Sequence, residues 1–179
     1  MTGELQGEGF RLRRATAGDV DFLAALSAHA EIEPFLAAVG SRTPGELLEE
    51  VRRSEEDPRH HGRFVLETEQ GPAGALAFEV ANRRSRIAYL HGIMLDPRAR
   101  GRGLAAAATR LLVRHLVLDL DYHRVQLEVY GFNERALRLF EQAGFVREGV
   151  RRSAYRRHGE WTDGILYGLV REDLEEPEA

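Results

Sequence analysis

The sequence predicts an α+β domain: a central, mostly antiparallel mixed sheet of about seven strands with helices on both faces. Three observations support this fold class. The segment from Ile87 to Leu95 is apolar on both faces, as in a strand that is covered on both sides. Two glycines follow it, and then apolar residues at helical spacing up to about Leu118. The other strand-like segments alternate in polarity and are separated by short turns, which favours antiparallel pairing.

The first third of the chain predicts one strand and two helices. Phe10 to Arg14 alternates like a strand, whereas residues 1–9 read as a tail without evident structure. Two capping boxes, in which Thr is followed three residues later by an acidic residue, predict helix starts at Thr16 with Asp19 and at Thr43 with Glu46. The second helix has proline at its first position and should run to about Ser54.

The remaining segments complete the element order β α α β β β α β α β β. The predicted strands are 64–68, 73–81, 87–95, 124–130, 145–155 and 161–170. The predicted helices are 104–118 and a last one that opens with Asn133 as N-cap and stops at Gly144. With 179 residues, 43% of them hydrophobic, the chain suits one well-cored domain, which we place at residues 10–171 and which an acidic tail of residues 172–179 follows.

The composition excludes several classes of protein. Without cysteine there is no disulfide framework, thiolate nucleophile or cysteine-ligated metal, and because all 25 basic residues are arginine there is no lysine Schiff base. A net charge of −4 without a basic tail argues against nucleic acid as a partner. No apolar run reaches membrane-spanning length and the first residues lack signal-peptide features, so we expect no membrane partner and a cytoplasmic location. No metal site is expected.

The turn from Arg100 to Ala105 is suited to an anion. Its glycines allow a tight turn with free amides, the following helix presents unpaired N–H groups, and arginines crowd the same turn. Glycines that only shape a turn are the plain alternative. A dinucleotide site is disfavoured because Asp121, the candidate ribose ligand, precedes a strand instead of following one. A P-loop is excluded because its Gly-Lys-Ser/Thr ending is absent.

Two motifs in this chain resemble the GCN5-related N-acetyltransferase (GNAT) family. The first is Arg100-x-x-Gly103-x-Ala105, preceded by Leu95-Asp96-Pro97, and the second is the segment from Asn133 to Gly144-Phe145. The resemblance covers residues 10–171. The run from Gly144 to Gly149 and the hairpin from Tyr155 to Trp161 are most similar to the branch that includes ribosomal-protein N-terminal acetyltransferases.

The resemblance implies acetyl-CoA as the acyl donor. The residues implied to hold its pyrophosphate at the turn are Arg100, Gly101, Arg102, Gly103, Leu104, Ala105 and Ala106. The backbone of Ile93, Met94 and Leu95 would pair with the pantetheine arm, and one of these N–H groups would stabilise the oxyanion. Asn133 would approach the cofactor as well, a role compatible with its place as a helix N-cap.

Glu128 is the candidate proton acceptor for the attacking amine. It points away from the apolar face of its strand, and it stands five residues before Asn133, where a glutamate serves as base in the N-terminal acetyltransferases that this sequence resembles. An exposed strand glutamate in an ion pair is the alternative. The tyrosine acid that is common in the family would stand at Phe140, so Tyr130, Tyr155 or solvent would have to replace it.

The expected function is transfer of an acetyl group to a primary amine, either a protein N-terminal α-amine or a small-molecule amine. The alternatives are a CoA-binding module without transferase activity and transfer of a longer acyl group. Acidic residues on or beside the first two helices could attract a cationic amine: Glu31, Glu33, Glu46, Glu49 and Glu50. His91 is interpreted as a core histidine rather than a base, and Arg151, Arg152, Arg156 and Arg157 as solvated hairpin residues. No interface pattern is evident, which leaves a homodimer open.

Overall fold

The computed structural model describes residues 4–36 and 42–175. Its sheet has eight strands in the order β1-β2-β3-β4-β5-β6-β8-β7. The strands are β1 Glu4–Gly7, β2 Phe10–Arg14, β3 His61–Thr68, β4 Gly71–Asn82, β5 Ile87–Leu95, β6 Arg124–Tyr130, β7 Val146–Arg157 and β8 Glu160–Val170. The helices are α1 Val20–Ala28, α2 Pro44–Glu56, α3 Leu104–Arg114, α4 Glu134–Gln142 and α5 Arg171–Glu175. Within the described residues, no helix is long and apolar enough to cross a membrane.

The predicted mixed sheet is confirmed. All neighbouring strands are antiparallel except β5 and β6, which are parallel. A parallel pair needs a crossover connection, and α3 supplies it. The sheet therefore contains one parallel junction, and the glycine turn lies at the entrance to the crossover.

Both ends of the chain differ from the sequence-based expectation. Glu4–Gly7, expected as part of a structureless tail, forms β1, which pairs along its whole length with β2 across a turn where Gly9 has φ 75°. At the other end, the first residues of the predicted acidic tail form α5, and residues 176–179 lie outside the described residues. The edge strand explains why eight strands are present where about seven were expected.

Two apolar clusters cover the two faces of the sheet. One cluster includes Leu112 and Leu116 from the α3 side with Phe140 of α4. The other joins Leu23 of α1 and Leu47 of α2 to Met94 of β5. Because β5 contributes to both clusters, its apolar character on both faces has a direct physical cause.

The helix starts follow local capping rules. At the start of α1, Asp19 accepts a hydrogen bond from the Thr16 N–H at 2.8 Å, and Arg13 donates two more at 2.8 Å to the same carboxylate. The Arg13 guanidinium is the main cause that lowers the pKa of Asp19 to about 2. Thr43 and Glu46 form the second predicted box. The helix after the glycine turn ends in a π-helical turn, His115–Asp119, in which Leu116 and Val117 are fully buried.

Candidate active site

A gap opens between β5 and β6. The two strands pair only over three residues each, from Ile87 opposite Arg124 to Tyr89 opposite Gln126, and then separate. A bulge in β5 opposite Ala75–Ala77 contains Gly92, whose φ of 58° favours glycine. Beyond the bulge, the β5 backbone therefore faces a cleft on one side and β4 on the other.

The backbone of Ile93 and Leu95 is directed toward this gap. The Asp96 N–H donates to the Ala73 carbonyl of β4 at 2.8 Å, and Met94 stands opposite Ala75 in the same ladder. Since backbone groups alternate in direction along a strand, those of Ile93 and Leu95 point the opposite way. The backbone of Met94 was expected to pair with a bound pantetheine arm together with Ile93 and Leu95. It faces β4 instead, and the buried Met94 side chain packs beneath α1 and α2.

The glycine turn lies beside this gap and leaves amides exposed. Gly101 has φ 80° and Gly103 has φ 69°, and Gly103 is the N-cap of α3. No atom lies within 4 Å of a Cβ built at either position, so backbone conformation and not space requires glycine here. The first intrahelical donor is Ala107, which bonds the Gly103 carbonyl, so the N–H groups before it have no acceptor within α3. The arrangement fits an anion such as a pyrophosphate.

The arginines of the turn do not all face the anion site. Arg100 donates to the Glu31 carbonyl at 3.2 Å and contacts the Glu31 carboxylate at 3.4 Å, and Arg98 pairs with Asp96 at 2.7 Å. Arg102 is exposed. The backbone amides are therefore the groups of the turn best placed for an anion, and Arg100 ties the turn to the segment after α1.

Asn133 caps α4 as predicted. Its side-chain oxygen accepts a hydrogen bond from the Ala136 N–H at 3.2 Å. Phe140, on the same helix, is 5% exposed and packs edge-on against Phe145. The position where the family tyrosine would stand is thus a core position in this chain.

Glu128 lies on β6 just past the last residue that pairs with β5. Its side chain is 14% exposed, and its Oε2 atom is 3.4 Å from Nη1 of Arg151. Its Oε1 atom is buried and has no hydrogen-bond partner in the described part of the chain. A buried, unpaired carboxylate oxygen at the edge of the gap is suited to accept a proton or a hydrogen bond from an entering group.

Gly164 makes room for this carboxylate. A Cβ on Gly164 would lie 2.0 Å from Oε1 of Glu128 and 2.8 Å from the Tyr155 ring. The strand register explains the contact, since Gly164 is opposite Tyr130 and Glu128 is opposite Leu166. This role of Gly164 was not predicted from the sequence, where the available signal was a glycine inside an otherwise apolar strand.

A bulge in β7 directs Arg151 and Tyr155 to the same place. Arg151 is opposite Gly164 and Tyr155 is opposite Thr162, so β7 contains two extra residues between them. Ser153 has φ 47°, and its N–H donates to Asp163 at 2.8 Å. Interpreting Arg151 as a solvated hairpin residue was therefore incomplete, because it is exposed and also contacts Glu128.

Three tyrosines close to Glu128 keep their protons at neutral pH. Burial raises the pKa of Tyr155, and the neighbouring Glu128 carboxylate adds to this effect. Burial likewise raises the pKa of Tyr89 and of Tyr130. These hydroxyls can donate hydrogen bonds, but burial makes them weaker acids than a free tyrosine.

An aromatic wall extends from Glu128 toward the segment after α1. The Tyr130 ring is stacked on Phe132 and edge-on to Tyr155, at 5.4 Å between centroids in both pairs, and Phe132 lies 5.7 Å from Phe35. Arg157, expected as a solvated hairpin residue, is instead buried. It joins the two sides, because it donates to the Glu33 and Pro34 carbonyls at 3.1 and 3.2 Å. The hairpin of β7 and β8 is thereby tied to this segment.

The acidic residues expected to attract a cation are paired with other groups. Their partners are Arg100 for Glu31, Arg157 for Glu33, the Thr43 N–H for Glu46, Arg52 for Glu49, and Arg42 and Arg63 for Glu50. An arginine or a helix cap thus compensates much of their charge. The hypothesis of an acidic attraction surface gains no support from these contacts.

His91 lines a small polar cavity under α2. The cavity, of about 40 Å³, is bordered by Glu50, Arg63 and Glu79 among others. Burial lowers the pKa of His91, so the ring is neutral at pH 7. Its ring is stacked on that of Tyr89 at 6.3 Å. These surroundings agree with the interpretation of His91 as a packed histidine rather than a base.

Comparison with known proteins gives consistent matches. The sequence matches the model of the Acetyltransferase (GNAT) family over residues 28–145. It is 38% identical over 114 residues to the SPbeta prophage-derived uncharacterized N-acetyltransferase YokL of Bacillus subtilis. The aligned residues cover 63% of this chain and 64% of that protein. The chain thus spans less than two thirds of the length of that relative.

Two solved structures share the fold. One is spermidine N-acetyltransferase from Vibrio cholerae in complex with CoA and spermine, with a TM-score of 0.84 and 23% identity, covering 95% of this chain and 100% of that chain. The other is ribosomal-protein-S5-alanine acetyltransferase from Vibrio fischeri, with a TM-score of 0.82 and 17% identity, covering 97% of this chain and 99% of that chain. At these identities the likeness concerns the fold.

Proposed function

The chain belongs to the GNAT family of acetyltransferases, as its two motifs predicted, and from this premise we propose that it transfers an acetyl group from acetyl-CoA to a primary amine. The acceptor is a protein N-terminal α-amine or a small-molecule amine. One observation carries the proposal: the gap between β5 and β6 has free amides at the glycine turn on one side and the buried, unpaired Oε1 of Glu128 on the other.

The donor side fits CoA in its chemistry. A pyrophosphate needs several N–H donors and a positive dipole, and the N-terminus of α3 after Gly103 offers both. An extended amide-containing arm needs a strand edge with free N–H and C=O groups, which Ile93 and Leu95 present to the gap. The CoA complex of a structurally similar acetyltransferase supports the same assignment.

When bound, acetyl-CoA supplies a thioester carbonyl that an amine can attack. In the proposed reaction the amine nitrogen forms an amide bond, the C–S bond breaks, and the sulfur leaves as thiolate. Glu128 accepts the proton that the amine loses. A backbone N–H at Ile93 or Leu95 is a fixed donor for the developing oxyanion.

Protonation of the leaving thiolate has no dedicated acid at position 140. Phe140 is part of the core, and the raised pKa of Tyr155 makes it a poor replacement. A thiol with a pKa of about 8.5 leaves as thiolate without help at neutral pH, so we assign the protonation to solvent. Tyr155 instead lies against the Glu128 carboxylate and orients it.

The test is an assay of free thiol release from acetyl-CoA in the presence of an amine panel. The panel contains amino acids, short peptides and polyamines, with mass spectrometry of the products. Amine-dependent thiol release with a matching acetylated product is expected. CoA binding without release for any amine would contradict the proposal and would favour a binding module. A second assay with propionyl-CoA and succinyl-CoA measures the selectivity for the acyl group.

A further inference from the structure

We propose that the acceptor is a primary amine that carries a carboxylate close to its nitrogen, and that Arg151 binds this carboxylate while Glu128 binds the ammonium. The inference rests on the proposed function and deepens it. It assigns a specificity role to Arg151 and names a substrate class: α-amino acids, or peptides with an acidic first residue.

The Glu128–Arg151 pair has the charge pattern that a zwitterion requires. Nη1 of Arg151 is 3.4 Å from Oε2 of Glu128, so opposite charges lie about as far apart as the ammonium and carboxylate of an amino acid. The Oε1 atom of Glu128 is buried and unpaired in the described part of the chain, and it can accept from the ammonium. An amino acid whose ammonium faces Glu128 and whose carboxylate faces Arg151 would satisfy both charges.

Arg151 has N–H donors that are available to a ligand. Its side chain is 59% exposed, and the contacts it makes within residues 4–36 and 42–175 are both long: 3.4 Å to Glu128 and 3.4 Å to the Tyr155 hydroxyl, each from Nη1. A guanidinium has five N–H donors in a fork that matches a carboxylate, so most of this capacity remains for a ligand. A purely structural tether of Glu128 would not need an exposed, weakly held arginine.

The backbone holds Arg151 where a ligand would meet it. The β7 bulge, fixed by the Ser153 N–H to Asp163 bond of 2.8 Å, brings Arg151 and Tyr155 to the same side of the hairpin. Without the two extra residues, the register would not bring both side chains to Glu128. The bulge therefore re-aims side chains at the candidate site.

The same arginine disfavours polyamines. A second ammonium close to the attacking amine would meet the positive charge of Arg151, at distances where like charges repel appreciably. The acidic residues near the first two helices do not offset this, because arginines already compensate Glu31 and Glu33. The electrostatics beside Glu128 thus favour an acceptor with its own negative charge.

The test compares acceptors that differ in this charge. Leucine, leucinamide and 3-methylbutylamine share a side chain but only leucine has a carboxylate, and spermidine is the cationic comparison. A second arm uses two peptide amides that begin with Asp or with Asn. Rates are expressed per concentration of neutral amine. We expect kcat/KM for the carboxylate-bearing member to exceed that of its neutral partner by about 10- to 100-fold in at least one arm, mainly through KM.

The variant Arg151→Met removes the charge and keeps the side-chain length. We expect it to bring the acid-to-amide ratio of kcat/KM close to one. Arg152→Met is the matched control, because Arg152 is an exposed neighbour on the same bulge, and it should keep the ratio. A preference in the leucine arm identifies free amino acids, and a preference confined to the Asp peptide identifies acidic N-termini.

Three results would overturn the inference: equal rates for acid and amide in both arms, a preference for spermidine, or a ratio that Arg151→Met leaves unchanged. If no amine releases thiol, the proposed function fails, and a separate measurement still decides the charge preference. Calorimetry with CoA present would compare N-acetylleucine with N-acetylleucinamide. Tighter binding of the acid, lost in Arg151→Met, supports the inference, and equal binding rejects it.

Discussion

The carboxylate of Glu128 lies over the backbone of Gly164, where a Cβ would be only 2.0 Å from Oε1. Any side chain at position 164 must therefore displace the proposed proton acceptor. We predict that Gly164→Ala lowers kcat by about 100-fold, the size of effect expected for loss of a general base. Steady-state kinetics with the best acceptor would measure this, and circular dichroism would check that the fold is retained.

Gly149→Ala is the control for this prediction. Gly149 is a strand glycine on the neighbouring β7, and the nearest atom to its added Cβ is 3.8 Å away, an ordinary contact. We expect kcat within about twofold of the parent protein, since surface substitutions away from a site have small effects. Full kcat in Gly164→Ala would mean that the observed position of Glu128 does not matter for turnover.

Replacing the proposed base itself should change the pH dependence of the reaction. In Glu128→Gln the side chain keeps its shape but cannot take up the amine proton. We predict a decrease in kcat/KM of about 100-fold near pH 7 that becomes smaller above the pKa of the amine, where the neutral form is abundant without a base. A pH–rate profile from 6 to 9.5 tests this.

Glu148→Gln provides the comparison, because Glu148 is also a sheet glutamate with an arginine partner, Arg124, but lies on β7 outside the gap. Its profile should match that of the parent protein. An unchanged profile in Glu128→Gln would remove Glu128 from the mechanism.

Features set by neighbouring residues could be predicted from the sequence. The bounds of Ile87–Leu95 and Arg124–Tyr130 agree with the structure, because alternation and turns mark both strands. Asn133 was predicted as a cap from the residues next to it, and the structure confirms the cap. The glycines of the turn were predicted to allow a tight turn, and both have positive φ in the structure.

Features set by distant pairing could not be predicted. Glu4–Gly7 is a strand only because β2 is available to pair with it, and a short polar segment carries no signal of its own. The meeting of Glu128, Arg151 and Gly164 depends on the register of three strands and on a bulge in β7. A shift of one residue would turn these side chains to the other face, so the sequence alone did not reveal the cluster.

The glycine turn offers a test of the donor site that is independent of catalysis. Gly103 has φ 69°, a conformation that costs a residue with a Cβ about 1–2 kcal/mol. We predict that Gly103→Ala weakens CoA binding about tenfold, because the turn must strain or move the amides that start α3. Calorimetric titration with CoA measures the change in Kd.

Gly45→Ala is the corresponding control, since Gly45 lies in α2 with open space around it and without positive φ. It should leave the Kd for CoA unchanged. If Gly103→Ala binds CoA as tightly as the parent protein, the turn is not the pyrophosphate site.

The ion pair between Arg13 and Asp19 should make the free energy of unfolding depend on pH. The pKa of Asp19 is lowered from 3.8 to about 2 in the folded protein, mainly by the hydrogen bonds from Arg13. A carboxylate whose pKa is lowered in the folded protein contributes its full stability above its unfolded pKa of about 4. This contribution is lost as the pH falls toward 2. We predict that Asp19→Asn lowers the free energy of unfolding by about 1–2 kcal/mol at pH 7 and by progressively less below pH 4. Urea denaturation at pH 7, 4 and 2.5 tests this, with Asp21→Asn, an exposed residue in the same helical turn, expected to change stability by no more than about 0.5 kcal/mol. A destabilisation by Asp19→Asn that stays constant from pH 7 to 2.5 would show that the ionised carboxylate is not what stabilises the start of α1.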